Sequence, residues 1–188
     1  MKYLRLYESF DEVARICREY NIFNYIINSD GSIDVDESVR IFGKCYPKST
    51  ITFNKVNGSF YCAEQNLITL EGCPKEVNGN FYCYGNQLTS LEYAPKIIRG
   101  EFNCEDNKIK SFEYFPNYVG DEFWCAGNPI YQVWKLFFDL TKIELLNDYD
   151  IFRDEDTDTP GIVMDRLNDF LLTIGNKTVE SIDQYKNI

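Results

Sequence analysis

Between Val56 and Ile130 the hydrophobic and polar positions recur with a period of 21 residues. The recurring unit has the form Phe-x-Cys-x-x-Asn-x-Leu, as in the stretch from Phe81 to Leu88. Its four columns are Phe60, Phe81, Phe102 and Phe123; Cys62, Cys83, Cys104 and Cys125; Gln65, Asn86, Asn107 and Asn128; and Leu67, Leu88, Ile109 and Ile130. Residues two apart on a strand point to the same side, so each unit predicts a short strand with Phe and Cys facing inward. A fixed period of this length predicts a solenoid of stacked units around one core.

The asparagine of each unit stands where the chain must leave the strand. There its side-chain amide can satisfy backbone groups of the turn and bond from one unit to the next. One period before Phe60, Val39 and Ile41 take the Phe and Cys positions and Lys44 takes the Asn position. We interpret this stretch as a degenerate first unit, because terminal repeats are atypical.

The unit resembles the leucine-rich repeat, Leu-x-Leu-x-x-Asn-x-Leu, with Phe and Cys in place of the first two leucines. Leu88-Thr89-Ser90-Leu91 followed by Pro95 resembles the short bacterial type, although the four-residue step from Ile98 to Phe102 departs from its usual three. The whole chain is similar to uncharacterised leucine-rich-repeat-like proteins of tailed bacteriophages. That similarity extends to the lead-in at 30–36 and the ending at 165–172. It implies a phage-encoded protein in the cytoplasm of an infected bacterium, and it offers no biochemical activity that could be carried over to this chain.

Before the repeats, the sequence predicts a cap. Ser9 and Glu12 form a capping box, which predicts a helix from about Phe10 to Tyr20 that covers the open end of the stack. Asp30-Gly31 between alternating apolar residues predicts a β-hairpin. The alternative is a calcium loop of the EF-hand type ending at Glu37, but its first ligand position is Ile26, which has no carboxylate.

After the repeats, the sequence predicts helices. Asn128 followed by Pro129 is typical of a helix start. The apolar stripe of this first closing helix is Ile130, Val133, Trp134, Phe137 and Leu140. A second short helix is expected from Thr141, a third from Ile162 to Ile174, and a short helix or tail over 176–188. The predicted fold class is therefore an α+β repeat solenoid in one compact domain, with an N-terminal cap (1–38), the solenoid (39–129) and a helical C-terminal cap (130–188).

Charge and cysteine content argue against several classes of partner and site. The 19 basic and 30 acidic residues give a net charge of −11, which argues against binding to nucleic acid or to anionic membranes. No signal peptide or membrane span is present, so we expect a cytoplasmic protein. The cysteine column would extend over ~14 Å, too far for one metal ion, and an odd count of seven cysteines predicts free thiols in a reducing compartment. Parallel side chains also disfavour a disulfide between neighbouring units, and we interpret these cysteines as small buried apolar residues.

Catalytic chemistry has little support in the sequence. The chain has no histidine and no phosphate-binding glycine loop, and its carboxylate runs lie in a loop. We therefore expect no enzymatic activity, no cofactor and no metal site. An enzyme housed in 130–188 is a weaker alternative, since it needs a pocket with perturbed carboxylates.

The side chains on the outward side of the strands vary between units while the inward ones do not. The predicted protein-binding residues on that face are Tyr61, Tyr82, Tyr84, Glu101, Asn103, Glu122 and Trp124. Exposed Tyr and Trp are typical of binding hot spots, although aromatic residues also suit strands through packing between neighbouring units. We expect a protein partner, such as a host protein, and a monomer or weak homo-oligomer. The alternative function is a structural or assembly role in a virion through self-association.

Overall fold

The computed structural model describes residues 2–42, 51–153 and 160–188, with side chains from residue 11 onward. Lys44 of the degenerate first unit lies outside the described residues. Within these bounds the protein has an α/β fold with four α-helices and short strands in sheets, most of them paired in parallel. This architecture is consistent with a stack of repeats. No helix of the described part is long and apolar enough to cross a membrane.

Two neighbouring sheets run through the described repeat region. The strands of the six-stranded sheet, in spatial order, are β1 (Tyr25–Ile27), β2 (Ile33–Val35), β4 (Phe53–Val56), β6 (Glu76–Val77), β8 (Ile97–Ile98) and β10 (Tyr118–Val119). Those of the five-stranded sheet are β3 (Val39–Arg40), β5 (Phe60–Tyr61), β7 (Phe81–Tyr82), β9 (Phe102–Asn103) and β11 (Phe123–Trp124). Each strand of the five-stranded sheet is one rung. Paired residues on neighbouring rungs are 21 positions apart, as in Phe81 and Phe102.

The second strand in each unit was not predicted. Buried Val77 and Ile98 form the inward positions of the six-stranded sheet, and a bend then leads into the next rung. Backbone comes unusually close at this bend, because a Cβ at Gly79 would lie 2.6 Å from Ser59 Oγ and 2.8 Å from the carbonyl carbon of Gly58. A side chain at position 79 would therefore force the neighbouring backbone to shift.

The inward columns form the core, as predicted. Phe60, Phe81 and Phe102 are fully buried, and successive rings lie 5.9 and 5.8 Å apart between centroids. The four repeat cysteines are also buried as free thiols. Dispersion and apolar burial along these columns stabilise the stack, since each rung completes the core of its neighbour.

The asparagine column bonds from unit to unit through the backbone. Asn86 Oδ1 accepts hydrogen bonds from the amides of Gln65 (2.9 Å) and Leu67 (3.0 Å) in the preceding unit. Its Nδ2 donates to the carbonyl of Cys62 in that unit and to the carbonyl of Cys83 in its own, both at 2.9 Å. Asn86 thus holds two rungs in register through hydrogen bonds to the backbone of both.

The N-terminal cap differs from its prediction at one end. Helix α1 spans Lys2–Glu19, so Ser9 lies inside it and the predicted capping box at the helix start is wrong. The residues before Ser9 include no Gly or Pro, and nothing in them stops the helix from extending towards the N-terminus. The buried side of α1 includes Val13, Ile16 and Cys17.

The predicted hairpin is confirmed, with β1 and β2 paired antiparallel. Asp30 Oδ1 accepts from the amide (3.0 Å) and the hydroxyl (2.6 Å) of Ser32, which closes the turn at Gly31 with φ of 85°. The carboxylate of Glu37, the last position of the alternative calcium loop, accepts from the amides of Phe23 and Asn24. These contacts favour the hairpin interpretation.

The C-terminal cap is mixed rather than helical. Its elements are α2 (Tyr131–Trp134), a 3₁₀ turn (Leu140–Lys142), α3 (Ile143–Asp148), β12 (Phe152–Arg153), β13 (Gly161–Ile162), α4 (Met164–Thr173) and β14 (Lys186–Asn187). The predicted helix or tail over 176–188 therefore contains a strand. It pairs in parallel with β13, which includes Ile162, the expected start of a helix.

The first closing helix is shorter than predicted. Asn128 does not cap α2, because its side chain bonds to the amide of Ile109 and to the carbonyls of Cys104 and Cys125 as the last member of the asparagine column. Helix α2 has a single turn, and the positive φ of 44° at Phe138 redirects the chain after it. The predicted apolar stripe is nevertheless buried or half-buried throughout.

Candidate protein-binding face

The outward side of the five-stranded sheet is set by the rungs themselves. In each two-residue rung the first side chain is buried and the second points outward. The parallel register places these second residues in one row, which we term the outward column: Arg40, Tyr61, Tyr82, Asn103 and Trp124. At ~4.8 Å per rung, the column is roughly 19 Å long.

The first half of the outward column is a stack of planar groups. The Arg40 guanidinium carbon lies 4.4 Å from the centroid of the Tyr61 ring, and the rings of Tyr61 and Tyr82 are stacked at 5.1 Å. Tyr84 meets Tyr82 edge to face at 6.4 Å. These contacts fix the orientation of the rings before any partner arrives, which lowers the entropy lost on binding.

The hydroxyl of Tyr82 is held on both sides. It accepts from Asn80 Nδ2 at 2.8 Å and donates to Glu101 Oε2 at 3.0 Å. Burial of the phenol, and then the neighbouring Glu101 carboxylate, raise the pKa of Tyr82 above its ordinary value. Tyr82 is therefore a neutral, rigid ring with its polar tip already engaged.

The middle of the column is polar. Asn103 Nδ2 donates to Glu105 Oε2 at 3.0 Å, and Asn103 Oδ1 accepts from the Glu105 amide at 3.1 Å. Glu101 and Glu105 thus flank the column, each bonded to a residue of it. The pattern places negative charge beside the aromatic rings from the third rung onward.

The last rung opens into a cleft. Trp124 is 44% exposed, and Phe138, which the sequence analysis did not select, is 60% exposed. A cleft of about 560 Å³, the terminal cleft, lies between them, and its lining includes Glu105, Glu122, Trp124, Tyr131, Trp134 and Phe138. Phe138 does not belong to the apolar stripe that predicts the closing helix. This is the only signal in the sequence that its ring is exposed.

Charge is distributed unevenly along this face. Arg40 lies at the first rung, while the carboxylates of Glu105, Asp121 and Glu122 line the terminal cleft. In the described part of the chain, none of these three carboxylates takes part in an ion pair, and no Lys or Arg lines the cleft. The face therefore has a cationic start and an anionic, aromatic end.

The buried thiols are poor candidates for chemistry. Burial raises the pKa of the Cys83 and Cys104 thiols well above the ordinary value, so the thiolate that acts as nucleophile or metal ligand is disfavoured. Among the described residues, no three His, Cys, Asp or Glu side chains are grouped so that they could hold a metal ion.

The structure brings all seven predicted residues to one face. Tyr61, Tyr82, Tyr84, Glu101 and Asn103 surround the middle of the outward column, and the remaining two, Glu122 and Trp124, line the terminal cleft. Searches with family models, against curated proteins and against solved structures found no match to this chain. Function must therefore be inferred from the residues of this face.

Proposed function

We propose that this protein is a non-enzymatic interaction module. It is a short leucine-rich-repeat-like solenoid of 21-residue units that binds a protein partner through the outward column and the terminal cleft. Its setting is the cytoplasm of a bacterium infected by the phage that encodes it, and its partner is a host protein. The single observation that carries this proposal is the pair of exposed rings, Trp124 at 44% and Phe138 at 60%, around a cleft at the end of an ordered aromatic column.

The physical reason is that large exposed aromatic groups are costly in water unless they are used. Trp and Tyr dominate binding energy where they become fully desolvated at the centre of an interface. The stack from Arg40 to Tyr82 is ordered in advance, and the terminal cleft offers the concave surface that an anchoring side chain needs. A convex surface with mobile side chains would provide neither ordered rings nor a concave binding surface.

The test is an affinity capture from bacterial lysate with a Tyr82→Ala, Trp124→Ala double variant. The matched control is Tyr93→Ala, Tyr114→Ala, which removes two tyrosines that are 51% and 44% exposed in the links between rungs. We expect a partner that is retained by the wild type and the control and lost with the face variant. Equal recovery by all three proteins would contradict the proposal, provided that circular dichroism shows all three folded.

Self-association in a virion is the second candidate function, and the open edges of the six-stranded sheet favour it. Strand β1 at one edge exposes Ile26 at 70%, and strand β10 at the other exposes Tyr118 at 52%. Head-to-tail contact of two different edges would build an open filament unless the rotation between copies closes it into a ring. Light scattering distinguishes the candidates, because a filament grows with concentration and an interaction module stays at one mass.

A further inference from the structure

The walls of the terminal cleft are aromatic rings held by the fold. The ring of Phe138 meets that of Trp134 edge to face, with centroids 5.7 Å apart. Trp134 is buried and packs in turn against Phe123, with centroids 5.2 Å apart. Trp124 extends from the last rung on the other side of the cleft and is exposed. The cleft therefore has exposed aromatic surface on two sides and a buried aromatic base.

Three carboxylates belong to the same lining, those of Glu105, Asp121 and Glu122. Glu105 is half-buried, and its Oε2 accepts from Asn103 Nδ2 at 3.0 Å, which fixes the position of this carboxylate. Within the described part of the chain, none of the three takes part in an ion pair and no Lys or Arg lines the cleft. Negative charge beside exposed rings, without a counter-charge from the chain, favours a cationic ligand.

Rings and carboxylates attract a cation in different geometries. A ring attracts it over its face, where the quadrupole is negative, whereas a carboxylate accepts hydrogen bonds at its oxygens. A guanidinium group is planar, so it can stack on a ring and donate from its edge at the same time, while an ammonium group is a strongly hydrated point charge. The face already contains one such contact at its first rung, where the Arg40 guanidinium lies over Tyr61. The lining of the cleft therefore suits arginine better than lysine.

We propose that the terminal cleft binds one arginine side chain of the partner protein, with its guanidinium group between the rings of Trp124 and Phe138. The N–H groups of this arginine donate to the carboxylates of Glu105 and Glu122. The proposal rests on the proposed function and specifies the chemistry of the same partner. The cleft volume of about 560 Å³ lies within the range of typical ligand pockets. The side chain enters from the open side, so the buried last rung stays covered.

Charge selects a partner protein over a second copy of this chain. Each copy carries a net charge of −11, so two copies repel each other. Arg40, on the same face, already stacks on Tyr61, and three further arginines form ion pairs within the chain: Arg99, Arg153 and Arg166. A basic segment of another protein is attracted at a distance by the chain as a whole and in contact by the cleft.

The experiment is a titration of the ¹⁵N-labelled full chain with the peptide acetyl-Gly-Arg-Gly-amide at constant ionic strength, followed by NMR. We expect saturable shifts of the Trp124 indole and the Phe138 amide, with a dissociation constant at or below about 10 mM. The same peptide with citrulline, which is planar but uncharged, should bind at least about tenfold more weakly, and the peptide with lysine at least about threefold more weakly. Absence of saturable shifts with the arginine peptide, or equal binding of either of the other two, would overturn the proposal.

Two double variants connect the shifts to the carboxylates of the cleft. Glu105→Gln, Glu122→Gln should weaken the arginine peptide several-fold, because it removes two charges from the lining. The control Glu92→Gln, Glu113→Gln makes the same change in net charge at exposed positions in the links and should leave binding unchanged. Equal effects of the two double variants would show a long-range charge effect and would contradict a built site.

A third variant tests the aromatic contact. Trp124→Leu keeps an apolar wall at an exposed position and removes the π face, so it should weaken the arginine peptide several-fold, with the Phe138 amide as the reporter. The control Tyr118→Leu removes a ring that is also exposed but lies outside the cleft, and it should leave binding unchanged. Unchanged affinity of the Trp124→Leu protein would contradict stacking of the guanidinium group.

The captured partner separates this proposal from the proposed function. If the partner depends on Tyr82 and Trp124 but is held equally well by Glu105→Gln, Glu122→Gln and does not compete with the arginine peptide, the interaction module stands and the arginine proposal fails. If the partner is insensitive to all of these changes, the proposed function fails as well. If the mass of the chain in light scattering rises with concentration and Arg40→Gln prevents the rise, a second copy occupies the cleft and the proposal is wrong.

Discussion

Replacement of Asn107 by alanine tests whether the asparagine column holds the rungs together. Asn107 is 6% exposed, and its Oδ1 accepts from the buried amide of Leu88 at 3.0 Å. Its Nδ2 donates to the carbonyls of Cys83 and Cys104, both at 3.0 Å. Alanine removes all of these bonds at once and leaves polar backbone groups buried.

The magnitude follows from the bonds that are lost. The Leu88 amide is left without an acceptor, which costs about 1–3 kcal/mol. The carbonyls of Cys83 and Cys104 keep a second donor, from Asn86 and Asn128, so each loses only the net worth of one hydrogen bond, about 0.5–1.5 kcal/mol. We therefore expect Asn107→Ala to lower the free energy of unfolding by about 4 kcal/mol, a large part of the 5–15 kcal/mol typical of a domain. With a urea slope of about 2 kcal/mol/M, the unfolding midpoint should fall by about 2 M.

The assay is equilibrium unfolding in urea, with tryptophan fluorescence and circular dichroism as probes. The control is Asn103→Ala on the outward side of the same repeat unit, where the side chain is half-buried and, among the described residues, bonds to Glu105 alone. Its expected cost is below about 1 kcal/mol. Asn107→Asp is a second probe, since it keeps the acceptor, loses the donor and sets a carboxylate against two carbonyls; it should cost at least as much as alanine. Losses for Asn107→Ala and Asn103→Ala within about 1 kcal/mol of each other would refute the reasoning.

Three further predictions concern the bend, a charged group and the thiols. Gly79→Ala should destabilise the protein by about 1–3 kcal/mol in urea unfolding, because the added Cβ would meet backbone at 2.8 Å; an unchanged midpoint would show that the bend can relax. The hydrogen bond from Lys55 holds the pKa of Glu76 below its ordinary value, so its contribution to stability is present above about pH 4.3 and is lost as the pH falls through the lowered pKa. The stability difference between wild type and Glu76→Gln should therefore shrink on acidification, and a constant difference down to acid pH would contradict this. Cys104 should react with a thiol reagent only as fast as the protein unfolds, since it is fully buried and its pKa is raised; fast labelling of Cys104 in the native protein would show that its rung opens independently.

The inward columns could be predicted from sequence because burial constrains them identically in each unit. Phe81, Cys83 and Asn86 occupy the same environment as their counterparts one period on, so their side chains repeat. The six-stranded sheet also repeats, but it was not predicted. The six-stranded sheet is built on pairs such as Glu76–Val77, too short to show alternation of apolar and polar residues, and its signal is only a buried Val or Ile once per period.

The C-terminal cap was harder to predict because it is not repeated. The stripe from Ile130 to Leu140 has helical spacing, yet helix α2 ends after one turn at Trp134, and Phe138 then adopts a positive φ. Tertiary packing on the end of the stack decides this conformation, and local propensity does not. The same turn places the Phe138 ring at the terminal cleft. The outward column was therefore visible in the sequence, whereas the second wall of the cleft was not.

The spacing of paired residues also has a consequence for how such a chain can change over generations. Because Phe81 pairs with Phe102 in the same register as Phe102 pairs with Phe123, an in-frame duplication or loss of one unit joins surfaces that already match. The caps at either end would meet the same kind of rung as before. The length of the stack can thus vary in whole units. Point substitutions at outward positions change the outward surface and leave the inward Phe, Cys and Asn columns, which hold the units together, unchanged.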